Sequence, residues 1–167
     1  MFTKSTEPLA ARGRIAAAIL AGGMLAAGPA VAFAGQCPAD KMVAAGSGQA
    51  ESKADAHGVT DTVISSIDLA NEGVGVSGRL FRLRKLVIQP GGVVPWHSHG
   101  DRPAIIYIIS GEVTEYASTC AVPIVHRAGE ATAEMHATAH WWKNTGKTTV
   151  VLLSADLFAN KEDPHTM

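Results

Sequence analysis

Residues Pro90–Gly111 read PGGVVPWHSHGDRPAIIYIISG, and the reading of this stretch decides the fold. His97 and His99 stand at i and i+2 inside a run of β-type residues. A strand has a side-chain period of two, so both imidazoles project from the same face. Gly91-Gly92 before the pair and Gly100-Asp101-Arg102-Pro103 after it are turn chemistry. Ala104–Ile109 is a second short apolar β run, closed by Ser110-Gly111. Two ring nitrogens presented from a rigid strand are half of a metal site, and the rest of the chain must supply the other half.

Outward from this stretch the same punctuation recurs. Val59–Leu69 alternates through Val63, Ser65 and Ile67 as a first strand, followed by the glycine-containing turn Ala70–Ser77. Arg79–Ile88 alternates more strongly, with Phe81 and Leu83 on one side and Arg82 and Arg84 on the other. Glu112–Ala117, Pro123–His126, Ala131–His136, His140–Lys143 and Thr148–Phe158 continue the pattern, with Asn144-Thr145-Gly146 as a hairpin-like turn. Eight or more short strands at fairly even spacing predict an all-β sandwich or barrel in one domain. The sequence shows no amphipathic helix of any length beyond its N-terminus and no internal repeat.

The chain has 167 residues, 47% of them apolar and 17% charged, which excludes a disordered chain and allows one domain with a real core. Part of the apolar fraction is N-terminal. Lys4, Arg12 and Arg14 precede the apolar run Ile15–Ala27, Gly28-Pro29 breaks it, and Ala32-Phe33-Ala34 is a small-x-small cleavage signal. Residues 1–34 therefore read as a secretory signal peptide, with an uncleaved membrane anchor as the competing reading. The expected location is a bacterial periplasm or the medium. Without residues 1–34 the chain carries 11 Lys+Arg against 14 Asp+Glu, a net charge of −3. No basic patch stands out, so nucleic acid is not an expected partner, and no second long apolar stretch predicts membrane association after cleavage.

Residues 35–58 are small, polar and glycine-containing, and read as a flexible surface segment in which His57 is solvated. The barrel is expected over 59–158, with a polar tail over 159–167. Cys37 and Cys120 are the two cysteines; an oxidising compartment favours a disulfide between them over two separate thiols.

The second half of the site lies in Gly129–Asn144, GEATAEMHATAHWWKN. His140 falls on a predicted strand, and two strands crossing a barrel interior place it with His97 and His99 around one point. Here the sequence resembles the cupins, small jelly-roll barrels with an internal metal site. Gly91, His97, His99 and Gly111 fall on the family's first motif, G(X)5HXH(X)3–4E(X)6G, at the correct spacing. Gly129, His140 and Asn144 fall on the second, G(X)5PXG(X)2H(X)3N, while Met135 and Ala137 replace its proline and glycine. The resemblance implies a jelly-roll β-barrel, a metal held by His97, His99 and His140, and a homodimer.

Ala104 stands where the family places a glutamate ligand. A methyl group cannot ligate, which leaves a dipositive site disfavouring oxygen-loving manganese. Ferrous iron is the first expectation, with Zn2+, Ni2+ and Mn2+ as alternatives. The implied activity is that of a three-histidine dioxygenase acting on a small, chelating organic acid. The alternative is an exported cupin that binds a metal or small ligand without catalysis, and a purely structural barrel is the third reading. His136 and Glu134, near His140 and sharing a strand face, are candidates for a fourth ligand or an orienting partner, and no catalytic acid or base is otherwise identified. Ala104, Ile106, Ile108 and Trp142 are expected to line the pocket, with Tyr107, Trp96 and Trp141 pointing elsewhere. Arg102, near the mouth of the site, reads either as a partner for an anionic substrate or, as a turn residue beside Asp101, as half of a surface ion pair, with the surface pair favoured; His126 and His165 read as solvent-facing.

Overall fold

A computed structural model describes residues 36–159. The signal-peptide and cleavage-site expectations, His165 and most of the C-terminal tail lie outside these residues. Eight strands follow in order: β1 (His57–Asp68), β2 (Arg79–Ser98), β3 (Ala104–Ser110), β4 (Glu112–Ala117), β5 (Ile124–Arg127), β6 (Ala131–Glu134), β7 (Ala139–Lys143) and β8 (Val150–Ala159). Two single turns of 3₁₀ helix, Ala39–Lys41 and Leu69–Asn71, are the only helical residues among those described.

Every pairing is antiparallel. The strands run β5-β4-β7-β2-β8-β3-β6, with β1 on β2. Strand β2 is the pivot. Its first part pairs with β8 over Arg79–Ile88 and with β1, while Val93–Ser98 pairs with β7. The sequence predicts a turn at Gly91-Gly92; the chain instead bends there and stays extended, so one strand serves both walls of an all-β jelly-roll barrel. Asn144 secures the bend. Its Nδ2 donates to the carbonyls of Ile88 (2.9 Å) and Thr148 (2.8 Å), and its backbone exchanges bonds with Gly91 and Gly92.

The inward positions of β2, β3, β4, β7 and β8 supply one apolar cluster that includes Leu86, Ile88, Val94, Ile106, Ile108, Val113, Trp142, Val150 and Leu152. Each large aliphatic side chain buried there contributes about 1.5–3 kcal/mol. Gly111, between β3 and β4, has φ +82°, and a Cβ on it would sit 2.9 Å from the Thr149 carbonyl oxygen. Only glycine fits this turn.

The alternation in β2 has a direction the sequence left open. Arg82 and Arg84 point inward and are buried, while Phe81 is exposed on the outside. The arginines are inward because acids meet them there. Arg82 makes two bonds to Asp156 (3.0 and 2.8 Å), and Arg84 pairs with Asp61 and lies 3.4 Å from Asp156. Arg102 is buried in the same cluster, 4.0 Å from Asp156, which corrects the expectation of a surface pair with Asp101. Asp101 is exposed and lies beside Arg79 instead.

Cys37 and Cys120 form a disulfide. Met42 bridges to Cys120, and the amides of Val43, Gly46, Gly48 and Gln49 donate to carbonyls of Ala117, Ser118 and Thr119. The segment ahead of β1 is thus laid along the β4–β5 connection. No helix among the described residues is long and apolar enough to cross a membrane.

Candidate metal centre

His97 and His99 come from the end of β2 and the residue after it, and His140 comes from β7. The β2–β7 register sets His97 directly opposite His140. The ring centroids lie 4.5 Å (His97–His140), 4.9 Å (His99–His140) and 5.0 Å (His97–His99) apart. One ring nitrogen from each lies within 4.8 Å of the others.

The partners of the rings fix their tautomers. His97 Nδ1 is 2.9 Å from the Pro95 carbonyl oxygen, His99 Nδ1 is 2.7 Å from that of Arg102, and His140 Nδ1 is 2.6 Å from Glu115 Oε1. All three partners accept only, so each Nδ1 carries a proton and, with each ring neutral, each Nε2 presents a lone pair. The indole N–H of Trp142 also lies 3.1 Å from His140 Nδ1. The shorter contact to a charged carboxylate decides the tautomer. His97 Nε2 and His140 Nε2 then face each other at 3.1 Å, and His99 Nε2 is buried with no hydrogen-bond partner. Three converging Nε2 atoms are the donor set of a cation, and with the proton shared by His97 and His140 displaced, three imidazoles suit zinc, iron, nickel or copper.

Electrostatics agree with this geometry at His97 and His99, while at His140 they favour a proton that a bound cation would displace. Burial drives His97 well below 6.5 and His99 down to about 4, keeping both neutral at physiological pH. Burial alone would lower His140 too, but the carboxylates of Glu134 and Glu115 outweigh it and hold it raised. Burial would raise Glu115, yet the hydrogen bonds from His126 and His140 bring it down to about 2.

A cavity of about 40 Å³ lies against the three rings. Leu86, Val94, Ile106, Trp142 and Leu152 form its apolar walls, and Arg84, Arg102 and Ser154 its polar side. It has room for a few water-sized atoms, so a ligand entering it must be small. Ile106 and Trp142 are among the residues that line the cavity. Ala104 and Ile108 share the inward face but do not line it: Ala104 has only a methyl group, and Ile108 is packed into the apolar cluster.

Glu134 is buried on β6 and pairs across the strands with Ala104. Its carboxyl therefore starts beside the position where the cupin pattern has its glutamate. It turns to the far edge of His140, with Oε2 3.4 Å from Nδ1 and Oε1 without a partner. Burial pushes it up to about 8. His136 is not in the cluster: β6 ends at Glu134, and the exposed His136 ring bonds the Gly100 carbonyl oxygen at 2.7 Å. Ala137, where the motif has glycine, takes φ +71° in the same turn.

Two members of the site escaped the sequence reading. Glu115 carries no motif, and His126 was expected in solvent. Both are buried, and His126 Nε2 is 2.7 Å from Glu115 Oε2. The His126 ring stacks on Trp142 at 4.5 Å. The inward period of β4 and β5 was the available signal, since Val113, Glu115 and Ala117 alternate, as do Ile124 and His126. Trp141 points outward as expected and stacks on Tyr116 at 4.0 Å.

The sequence matches the Cupin domain family model over residues 84–156, which contain both histidine motifs. Residues 84–156 thus match a cupin domain. No curated protein matches the chain. Solved structures that resemble this chain include a predicted oxalate decarboxylase from Thermotoga maritima, at 20% identity over 60% of this chain and 80% of that one, with a TM-score of 0.49. A conserved double-stranded β-helix protein from Klebsiella pneumoniae gives 16%, 61%, 78% and 0.49 on the same measures. Oxalate oxidase in complex with glycolate gives 23% and 0.47, covering 64% of this chain and about half (53%) of its own.

Proposed function

We propose that this protein binds a divalent transition metal through His97, His99 and His140, ferrous iron first, and acts as a dioxygenase on a small chelating organic acid. The observation that carries the metal reading is the convergence of three Nε2 atoms, with that of His99 buried and without a partner. Bound iron would supply oxygen activation and Lewis acidity. The chain's own residues would do the rest. The imidazoles hold the ion, the apolar walls exclude water, and Arg84 and Arg102 on the cavity favour an anion. An anionic chelator also supplies the negative charge that Ala104 withholds.

Metal analysis of anaerobically purified protein, with His97→Ala beside it, tests the shared claim: stoichiometric metal in the parent and its loss in the variant are expected. Equal metal content in both removes the proposal. Oxygen consumption by the iron-loaded protein over a panel of small organic acids then tests catalysis.

A non-catalytic metal- or ligand-binding cupin is the second reading. It is supported by the lining of the cavity, which among the described residues includes no carboxylate to act as general base. The absence of turnover across the panel would select it. The disulfide and the N-terminal composition support export to the periplasm or medium. The outer face of β3, with Ile105, Tyr107 and Ile109 exposed beside Phe81 and Ile67, supports a homodimer through this sheet.

A further inference from the structure

The three imidazoles are not held alike. His97 and His99 give their Nδ1 protons to backbone carbonyls, whereas His140 gives its proton to a side chain, Glu115. Both oxygens of that carboxylate are committed, Oε1 to His140 at 2.6 Å and Oε2 to His126 at 2.7 Å. The chain of groups His126–Glu115–His140 spans three strands, β5, β4 and β7, and every member is buried. The β4–β7 register sets Glu115 opposite Trp142 and diagonal to His140, so the carboxylate reaches the ring from the neighbouring strand. His126 is braced in turn by its stack on Trp142, which walls the cavity.

Burying a carboxylate between two imidazoles is costly, and three apolar side chains of similar volume would stabilise a barrel wall at least as well. The arrangement does something an apolar wall cannot. It sets the tautomer and tilt of His140 so that Nε2 faces His97 and His99, and it puts a negative charge one ring away from the point where the Nε2 atoms converge. The cupin pattern places its carboxylate on β3, where this chain has Ala104.

We propose that Glu115 is the positioning residue of the metal centre, acting through His140 to supply the negative charge that a carboxylate ligand at position 104 would have given directly. This rests on the metal-binding reading above. A metal-bound histidine whose second nitrogen donates to a carboxylate is a stronger and better-oriented donor than one held by a carbonyl, and loss of such a partner costs on the order of 10–100-fold in metal affinity. His140 is accordingly the strongest of the three donors.

The test uses Co2+ as a spectroscopic probe on the full chain, with affinity read by competition against a chromophoric chelator. Glu115→Gln keeps the size of the side chain and removes its charge. It is expected to lower Co2+ affinity on the order of 10–100-fold and to shift the visible Co2+ bands at saturation, which a purely structural role would leave in place. Unchanged affinity and bands in Glu115→Gln, with binding lost in His97→Ala, overturn this inference and leave the metal site standing. Binding by His97→Ala equal to the parent overturns the metal site and this inference with it. Should Glu115→Gln not fold, His126→Phe keeps the stack on Trp142 and removes one of the two donors to Glu115. A band shift in the opposite direction is then expected, because the carboxylate keeps its charge and shares it with His140 alone, and identical bands overturn the inference.

Discussion

Acid should destabilise the metal-free protein through His99, by an amount the structure sets. Its ring is buried with Nε2 unpartnered, and burial brings its pKa down to about 4 from 6.5. A depressed folded-state value means that the unfolded chain takes up the proton first. The stability is therefore complete above about pH 6.5 and is lost as pH falls towards 4. A shift of this size corresponds to about 3 kcal/mol in full, of which about 2 kcal/mol falls between pH 7 and pH 5. His97, also held well below 6.5 by burial, adds a loss of the same sign. Urea denaturation of chelator-treated protein at the two pH values is the assay, and about 2 kcal/mol corresponds to a midpoint shift of about 1 M. His99→Leu removes the titrating ring while leaving the other groups in place, so its stability should fall less with acid by that amount. Equal pH dependence in parent and variant would refute the reasoning, because it would mean that the ring is solvated in the folded state.

Three other outcomes follow from particular contacts. Asp156→Asn removes the acid at the centre of Arg82, Arg84 and Arg102 and leaves their charge buried, at a cost of about 3–5 kcal/mol in urea stability; a loss below 1 kcal/mol would show that water reaches the cluster. Ala137→Gly relieves a positive φ worth about 1–2 kcal/mol against a smaller entropic cost, so the melting temperature should rise by a few degrees. No rise would place the turn elsewhere. Ile105→Lys puts a charge on the exposed apolar face of β3 and should convert a dimer to a monomer in light scattering; a parent that is itself monomeric rules the proposed dimer out.

The barrel itself was legible in the chain because its signals are local. Turn residues punctuate short β runs, and backbone geometry alone places side chains two apart on one face. Strand β2 shows the limit of that reading. A bend at Gly91-Gly92 and a turn there have the same sequence signature, and only the bonds from Asn144 to Ile88 and Thr148 distinguish them. The direction of alternation was equally invisible. Nothing along the chain says which side of the strand Arg82 and Arg84 take until Asp156 and Asp61 are found facing them.

The spacing of His97, His99 and His140 within two motifs is a property of the chain, and it names the three rings before any fold is known. What stands behind those rings depends on how the barrel closes. Glu115 and His126 come to the site by cross-strand register, and register is set by how the sheet closes rather than by any spacing along the chain. A buried carboxylate and a buried histidine each look like surface residues until the partner that makes their burial tolerable is known.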